Sequence, residues 1–348
     1  MRPSARCSTL HGYAGLAESF GLDPTWLLSR VELDMADLAV PDKWVPAVAV
    51  ARLLEQSAAE SGREDFGVQL AQLRRLSSVG PLSVVLRDEP DLRSVLQLLI
   101  RYEHSYNEAI RITLTEANGL ATASVWLELG EPAPTRQALE LAVAALLGLI
   151  RRLREPQWQP RSVCFTHRPP ADSVTHRRLL GPSLRFDHEF TGLVFSSRDL
   201  DCANALADPD DPDIRTYTRE FLRSLPPPHE PDLVDRVREL VQALLPLRRC
   251  TMPQVARALG VTRRTLHRQL AAHRTSFVDL VGEARAGLAE RHLANARYTI
   301  SDVSDLLGFA ASSAFSRWFR QRFGVSPTAW RAAAGVAIPG TSSSAPVS

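Results

Sequence analysis

Thr251-Met-Pro-Gln-Val-Ala-Arg-Ala-Leu-Gly260 and Thr299-Ile-Ser-Asp-Val-Ser-Asp-Leu-Leu-Gly308 are two versions of one ten-residue pattern, 48 positions apart. In each, a threonine followed three residues later by Gln or Asp predicts a capping box, in which side chains bind the free N–H groups at a helix start. The valine and the leucine four residues later predict an inward apolar stripe. The closing glycine predicts a left-handed residue that ends the helix in a tight turn.

A second helix is predicted after each turn, where the offset between the two copies becomes 49. The matched positions alternate apolar and basic residues: Leu266 with Phe315, Arg268 with Arg317, and Leu270 with Phe319. The apolar positions are expected to pack onto the first helix, which leaves the basic positions exposed. This is the pattern of a helix-turn-helix unit, whose second helix enters the major groove of DNA. Two such units are therefore predicted.

Residues 276–297, between the two copies, are predicted to form one helix. Its apolar residues recur at helical spacing: Phe277, Leu280, Val281, Ala284 and Leu288. About 20 residues at 1.5 Å each would make a support of roughly 30 Å, close to one turn of DNA. The two second helices are therefore expected to reach successive major grooves on one face of the duplex.

Charge is unevenly distributed along the chain. Residues 246–331 hold 14 arginines and five acidic residues, a local charge of +9, so the rest of the chain carries −7 to give the net charge of +2. A basic segment attached to an acidic body is typical of a nucleic-acid-binding module on a regulatory domain. A solvated basic face is the alternative, and charge by itself leaves both open.

The second copy continues into a longer motif. It runs Leu307-Gly-Phe-x-x-x-Ser313-x-Phe315-Ser-Arg317-x-Phe319, then Phe323-Gly-Val-Ser326-Pro327 and Trp330-Arg331. Over residues 232–331 the chain resembles the AraC/XylS family of transcription regulators, with Ser304 where the family usually has alanine and Trp330 where it usually has tyrosine. The resemblance implies an all-α C-terminal domain with two helix-turn-helix units joined by a long helix.

The same resemblance implies which residues contact DNA. The base-reading positions fall on Arg264, His267, Arg268, Ser312, Ser313, Ser316 and Arg317. Phosphate contacts are expected from Thr262, Arg263 and Arg320. The chemistry agrees, because an arginine can bind O6 and N7 of guanine through two hydrogen bonds. For Arg268 and Arg317, a phosphate contact or a merely solvated position are the alternatives to base contact.

Proline and aspartate clusters divide the chain. Asp208-Pro-Asp-Asp-Pro-Asp213 and Pro226-Pro-Pro-His-Glu-Pro231 break regular structure and predict a linker over residues 208–231. The expected domains are then an N-terminal body of residues 10–207 and a DNA-binding domain of residues 232–335. The tail is composed mainly of small residues with nothing to bury, so residues 336–348 are expected to be disordered.

The body mixes the periodicities of helices and strands. Helices are predicted at residues 45–61, 92–108, 136–154 and 173–180. Strands are predicted at residues 110–116, 121–128, 162–166, 184–186 and 193–195, with Asn118-Gly119 as the turn of a hairpin between the first two. This combination describes an α+β domain.

Several short motifs lie in the body: Asp65-Phe-Gly67, Gly80-Pro-Leu82, Pro90-Asp-Leu-Arg93, Val163-Cys-Phe-x-His167 and Pro169-Pro-Ala-Asp172. Through them the body resembles the arabinose-binding-like N-terminal domain of a branch of the same family. The resemblance implies that the body binds a small effector and self-associates. It does not imply that the effector is arabinose, and it assigns no residue to the effector site.

The sequence gives little support for a metal site or for a membrane-spanning helix. The cysteines, at positions 7, 164, 202 and 250, are too scattered for a local metal site and are expected to be reduced. The histidines at positions 104, 167, 176 and 188 are also scattered and are interpreted as surface or core residues. The longest apolar run, residues 141–150, is too short to span a bilayer and predicts a buried helix.

Together these features predict a cytoplasmic, sequence-specific DNA-binding transcription regulator, an activator that responds to a small-molecule effector. The expected partners are double-stranded DNA, the effector, a second copy of the chain and RNA polymerase, with no cofactor or metal. Two alternatives remain: the body serves only dimerisation or protein contact, or an enzyme is fused to the DNA-binding module. DNA-repair methyltransferases carry such a module, but neither Cys164 nor Cys250 has the Pro-Cys-His-Arg setting of their reactive cysteine.

Overall fold

The structure is a computed structural model that describes residues 3–80, 82–206, 233–245, 250–295 and 297–334. The chain divides into two compact units, Met1–Pro228 and His229–Ser348. The predicted linker at 208–231 and the predicted disordered tail at 336–348 lie outside the described residues. Within the described ranges, no helix has both the length and the apolar character needed to cross a membrane.

The N-terminal unit combines helices and strands, as the sequence predicts. Its described helices are α1 (Tyr13–Ser19), α2 (Pro24–Ser29), α3 (Met35–Leu38), α4 (Ala47–Ser61), α5 (Phe66–Leu73), α6 (Leu82–Asp88), α7 (Leu92–Arg101), α8 (Arg136–Leu153), α9 (Val174–Leu180) and α10 (Ser197–Leu200). Its described strands are β1 (Ser4–Arg6), β2 (Trp44–Pro46), β3 (Ile110–Ala117), β4 (Leu120–Leu127), β5 (Ser162–Cys164), β6 (Leu184–Arg185) and β7 (Gly192–Ser196).

The main sheet has the strand order β3-β4-β7-β5-β6. Its neighbouring strands are antiparallel except β5 and β6, which are parallel. The hairpin of β3 and β4 turns at Asn118 and Gly119, whose φ angles are +53° and +76°. Two successive left-handed residues match the twist of the paired strands, and Asn-Gly adopts them readily. The predicted hairpin is confirmed.

Helix α8 lies at the centre of the N-terminal core. Most of its apolar run, residues 141–150, is buried, and the helix packs on α4, α5 and β4, so the predicted buried helix is confirmed. Gly67 brings the backbones of α5 and α8 together, because a Cβ at this position would lie 2.2 Å from the carbonyl oxygen of Gln137. The Gly67 N–H also donates to the Gln137 side chain at 2.7 Å. The glycine of the Asp65-Phe-Gly67 motif is therefore required by helix packing.

Two predicted segments are longer than the observed elements. The helix predicted over 92–108 ends at Arg101. Asn107 starts a turn instead, because its side-chain oxygen accepts the N–H groups of Ala109 and Ile110 at 2.9 and 3.2 Å. The strand predicted over 162–166 ends at Cys164. The remaining helix and strand bounds differ from prediction by one or two residues.

Every described element of the C-terminal unit is a helix. These helices are α11 (Leu233–Leu244), α12 (Met252–Ala258), α13 (Arg263–Ala272), α14 (Phe277–Leu293), α15 (Ile300–Leu306), α16 (Ser312–Phe323) and α17 (Pro327–Ala333). One apolar cluster joins α11, α12 and α13 to the first half of α14. A second cluster joins the last turns of α14 to α15, α16 and α17. The four apolar positions matched between the copies, Leu266, Leu270, Phe315 and Phe319, are all buried, as predicted.

The two repeated turns agree with prediction, but only one of the capping boxes does. Gly260 and Gly308 have φ angles of +69° and +72°, which confirms the left-handed residue after each first helix. The box of Thr299 and Asp302 is present in full. The box predicted at Thr251 is wrong: its hydroxyl donates to the side-chain oxygen of Gln254 at 2.8 Å and accepts no backbone N–H group.

Helix α14 is shorter than the predicted helix over 276–297. Ser276 caps it, and it ends at Leu293 because the side chain of Asn295 accepts the Arg297 N–H at 2.9 Å, which starts a turn. Its 17 residues span about 25 Å, compared with the roughly 30 Å predicted.

Candidate functional site

Helix α13 exposes its predicted DNA-contacting residues on the side away from its core. Leu266 and Leu270 are buried, whereas Arg264, His267 and Arg268 are exposed. Residues three and four positions apart lie on the same helix face. The three exposed side chains therefore form one patch that a groove of DNA can contact.

Helix α16 has the same arrangement. Phe315 and Phe319 are buried. Ser313 and Arg317 are exposed, and Ser316 between them is half-buried. Because Ser313, Ser316 and Arg317 lie three or four residues apart, they share one face of the helix.

Two of the predicted contact residues also have local structural roles. The hydroxyl of Thr262 accepts the Thr265 N–H at 3.1 Å and so caps the start of α13. Ser312, the first residue of α16, is half-buried and its hydroxyl lies 3.0 Å from that of Ser301 on α15. Ser312 is thus less accessible than its neighbours, which sequence reasoning did not distinguish.

The arginines of these two faces have no acidic partner among the residues that the structure describes. They are Arg263, Arg264, Arg268, Arg317 and Arg320, and all five are exposed. Within the described residues, none of the five forms an ion pair, in contrast to Arg238 of α11, which pairs with Glu283 at 3.5 Å. Their guanidinium donors are therefore available to phosphates or base edges.

Two less exposed arginines hold the second pair of helices in place. Arg285 of α14 donates to the carbonyl oxygen of Leu307 at 3.0 Å and lies 4.5 Å from the ring centre of Phe309. Arg331 of α17 donates to the carbonyl oxygen of Leu293 at 3.1 Å and is 1% exposed. Burial lowers the pKa of both groups. Each cation binds the carboxyl end of a helix, where carbonyl groups lack intrahelical donors.

The N-terminal unit contains a cavity of about 350 Å³. Residues of α4, α8, β3 and β4 line it, and most are aliphatic, including Val50, Leu54, Ile112 and Leu141. Small-molecule sites are typically concave and mainly apolar, with volumes upward of roughly 300 Å³. Sequence reasoning assigned none of these residues. The sequence does contain one indication of this site. A pair of arginines, at positions 74–75 and 151–152, lies at the end of each of two apolar helices.

Two of the histidines interpreted as scattered meet at one carboxylate. Glu140 of α8 is fully buried, with its oxygens 2.9 Å from His176 Nε2, 3.3 Å from His167 Nε2 and 3.2 Å from Arg136 Nε. Burial lowers the pKa of His167, although the charge of Glu140 opposes this effect. The core interpretation is confirmed for His176, which is buried. In the part of the chain that the structure describes, no group of three His, Cys, Asp or Glu side chains could hold a metal ion.

Two domain families match the chain, one in each unit. Residues 21–204 match the arabinose-binding domain of AraC transcription regulators, and residues 255–333 match a helix-turn-helix domain family. The chain is 30% identical to the HTH-type transcriptional regulator VirS of Mycobacterium tuberculosis, over 95% of this chain and 97% of that protein. It is 37% identical to the transcriptional activator NphR of a Rhodococcus species, over 23% of this chain and 24% of that protein. The crystal structure of the transcriptional regulator CdpR from Pseudomonas aeruginosa aligns with 89% of this chain and 98% of its own, at 19% identity and a TM-score of 0.38.

An N-terminal unit of helices and sheet, followed by a helical unit that matches a helix-turn-helix domain over residues 255–333, is the organisation of a DNA-binding transcription regulator. The N-terminal match covers more than half of the chain, and the similarity to VirS extends over nearly all of it. The chain belongs to the AraC family of transcription regulators. The resemblance inferred from the sequence motifs is confirmed.

Proposed function

We propose that this protein is a sequence-specific transcription activator that reads two successive major grooves with α13 and α16. In this proposal α12 with α13 and α15 with α16 are two helix-turn-helix units, and α14 joins them. The supporting observation is the pair of exposed arginine-bearing faces, which have no acidic partner within the described residues. The length of α14, about 25 Å, is of the same order as the roughly 34 Å between successive major grooves. Activation is supported by the similarity to the activator NphR.

The contact residues are proposed as follows. Base reading belongs to Arg264, His267 and Arg268 on α13 and to Ser312, Ser313, Ser316 and Arg317 on α16. Phosphate contact belongs to Thr262, Arg263 and Arg320, which lie at the start of α13 or one turn beyond Arg317 on α16. The presence of arginine on each face suits guanine, which presents two acceptors in the major groove.

The test uses full-length protein and an operator selected from random duplexes. Arg268→Ala and Arg317→Ala should each weaken binding to the operator by about 1 to 3 kcal/mol and relax the base preference at one position. Arg322→Ala is the matched control, because Arg322 is exposed on the opposite side of α16 from Ser313. Fluorescence anisotropy measures the affinities. Equal losses on operator and random DNA would reassign the two arginines to phosphate contact.

Arg263 tests the phosphate assignment separately. Arg263→Ala should weaken binding to operator and random DNA alike, since a phosphate contact carries no sequence information. The slope of log affinity against log salt concentration should become shallower by about one unit, because one fewer counterion is released. An unchanged slope would remove Arg263 from the interface.

The N-terminal unit is proposed to bind a small effector and to form a homodimer. The protein, as an activator, is proposed to contact RNA polymerase. The proposed domains are the body of residues 10–207, the linker 208–231, the DNA-binding domain 232–335 and the tail 336–348. The cavity favours effector binding over a body that serves only dimerisation or protein contact.

Filling the cavity tests the effector proposal. Ala145 lines it, and Ala145→Phe should make reporter transcription unresponsive to growth conditions that alter the output of the wild-type protein. Operator affinity and thermal melting of the purified variant check that it folds and binds DNA. A reporter response equal to that of the wild type would favour the dimerisation-only alternative.

A further inference from the structure

The charged residues around the cavity of the N-terminal unit are all of one sign. They are Arg74, Arg75, Arg151 and Arg152, and no aspartate or glutamate of the described residues lines the cavity with them. In the described ranges, none of the four forms an ion pair. Positive charge without a counter-charge at a partly desolvated site favours an anionic occupant.

Two of these arginines are already engaged by the fold. Arg151 donates to two main-chain carbonyl oxygens, at 3.2 and 2.7 Å. Arg152 donates to the carbonyl oxygen of Arg74 at 2.9 Å, which holds the segment after α5 against α8. The side chains of Arg74 and Arg75 have no hydrogen-bond partner among the described residues. Arg75 is exposed, whereas Arg74 is half-buried. Arg74 is therefore the better placed to receive a buried anion.

Tyr106 provides a second donor near Arg74. Both residues line the cavity. Burial lowers the pKa of Arg74 to about 10 and raises that of Tyr106. At neutral pH the guanidinium is thus charged and the phenol keeps its proton, so both are donors. The Tyr106 hydroxyl lies 3.5 Å from the carbonyl oxygen of Leu99, too far for a strong hydrogen bond, and remains available to a ligand.

The rest of the lining restricts the class of ligand. It is mainly aliphatic, contributed by α4, α8, β3 and β4. The uncharged polar side chains of the lining other than Tyr106 are those of Thr9, Gln72, Ser78 and Asn107, a minority of its residues. A ligand with an ammonium group would meet arginines and no carboxylate. A ligand with an apolar body and one anionic group fits both the positive charge of the arginines and the aliphatic lining.

We infer that this cavity binds a small organic acid with an apolar body, its carboxylate held by Arg74 and Tyr106 and its body between α4 and α8. The inference rests on the proposed effector function and names the chemical class of the effector. An arginine holds a carboxylate through two parallel charge-assisted hydrogen bonds, which gives orientation as well as affinity. The volume of about 350 Å³ admits a medium-chain fatty acid.

Calorimetric titration of the full-length protein with decanoate and with 1-decanol tests the inference. Decanoate should bind at least about tenfold more tightly than 1-decanol, because only the acid forms charge-assisted hydrogen bonds. Arg74→Met should weaken decanoate binding by about tenfold or more and leave 1-decanol unchanged. Arg87→Met is the matched control, since Arg87 of α6 is exposed and does not line the cavity. Tyr106→Phe should weaken decanoate binding by a smaller factor.

The outcomes separate this inference from the effector proposal. Equal affinities for decanoate and 1-decanol, both abolished by Ala145→Phe but unaffected by Arg74→Met, would overturn the acid class and leave the cavity as an effector site. Absence of decanoate binding to the wild type would also overturn the inference, while the reporter response of Ala145→Phe would still decide the effector proposal. Thermal melting of each variant establishes that it is folded.

Discussion

Glu140 shows how one buried residue joins separate parts of the N-terminal unit. It lies on α8, His176 lies on α9, and His167 follows β5. Arg136, one turn before Glu140, also pairs with Glu64 at 3.0 Å. A carboxylate that is fully removed from water is stable only when its oxygens accept hydrogen bonds or face positive charge. Arg136 and His176 meet this requirement, and His176 ties α9 to α8.

Removal of this charge should destabilise the N-terminal unit. Glu140→Gln keeps the shape of the side chain, but the buried His176 loses its anionic partner and the half-buried Arg136 keeps only Glu64. We expect a loss of about 1 to 3 kcal/mol in the free energy of unfolding, measured with urea. Glu60→Gln is the control, because Glu60 forms an exposed pair with Arg30 at 3.5 Å and its loss should change stability by less than about 1 kcal/mol. Equal effects of the two substitutions would contradict the role of burial.

His292 should make the C-terminal unit sensitive to acid. Burial, aided by the charge of Arg291, lowers the pKa of His292 from 6.5 to about 4. Between these two values the unfolded chain binds a proton that the folded chain excludes, so stability falls as pH decreases from about 6.5 to about 4. The melting temperature of His292→Phe should decrease less over this range than that of the wild type. His267→Phe, at an exposed position, is the control, and its melting temperature should decrease as much as that of the wild type. Parallel curves for wild type and His292→Phe would refute the expectation.

At the scale of elements, two glycines of the C-terminal unit have opposite roles. Gly282 lies inside α14, and a Cβ there would meet no atom within 4 Å. Gly308 follows α15 with a φ of +72°, and a Cβ there would meet its nearest atom only at 3.8 Å. Neither position is crowded, so substitution by alanine reports backbone preference and not steric conflict.

Gly282→Ala should therefore stabilise the C-terminal unit by about 1 kcal/mol, because alanine favours the helix interior. Gly308→Ala should destabilise it by about 1 kcal/mol, because a side chain disfavours the left-handed conformation. Urea unfolding of the two variants measures both changes. Stabilisation by Gly308→Ala would show that the turn does not need its positive φ, and destabilisation by Gly282→Ala would contradict the helix-preference argument.

At the scale of the whole molecule, the division into two units predicts separable DNA binding. A fragment that begins at Asp232 contains both helix pairs and α14, so it should fold and bind the operator alone. It should bind more weakly than the full chain if the N-terminal unit dimerises, because a second linked DNA-binding unit raises the effective local concentration. Footprinting should show about two successive major grooves for the fragment and about twice that length for the full chain.

Each half of this prediction can fail independently. A full-length footprint no longer than that of the fragment, together with a monomer mass in solution, would exclude the dimer but leave DNA binding intact. A fragment that is unfolded by circular dichroism would show that the C-terminal unit depends on the rest of the chain.

The features that were predictable from the sequence are those governed by neighbours along the chain. The turns at Gly260 and Gly308, the capping box of Thr299 and the hairpin turn at Asn118-Gly119 each depend on a few consecutive residues. Helix ends were less predictable, since Asn295 ends α14 through a local side-chain hydrogen bond that competes with helical periodicity. The exposed faces of α13 and α16 also followed from local pattern, because the apolar positions of a helix define its outer side.

The cavity and the Glu140 cluster were decided only by the tertiary structure. Arg74 and Tyr106 lie 32 positions apart in the sequence, and Glu140 and His176 lie 36 apart. No periodicity or motif relates such residues, because their proximity depends on how α5, α8, α9 and the sheet pack around one core. By itself the sequence determined a helical DNA-binding unit with its basic faces. The packing of distant elements determined that the N-terminal unit contains a cavity whose only charges, among the described residues, are arginines.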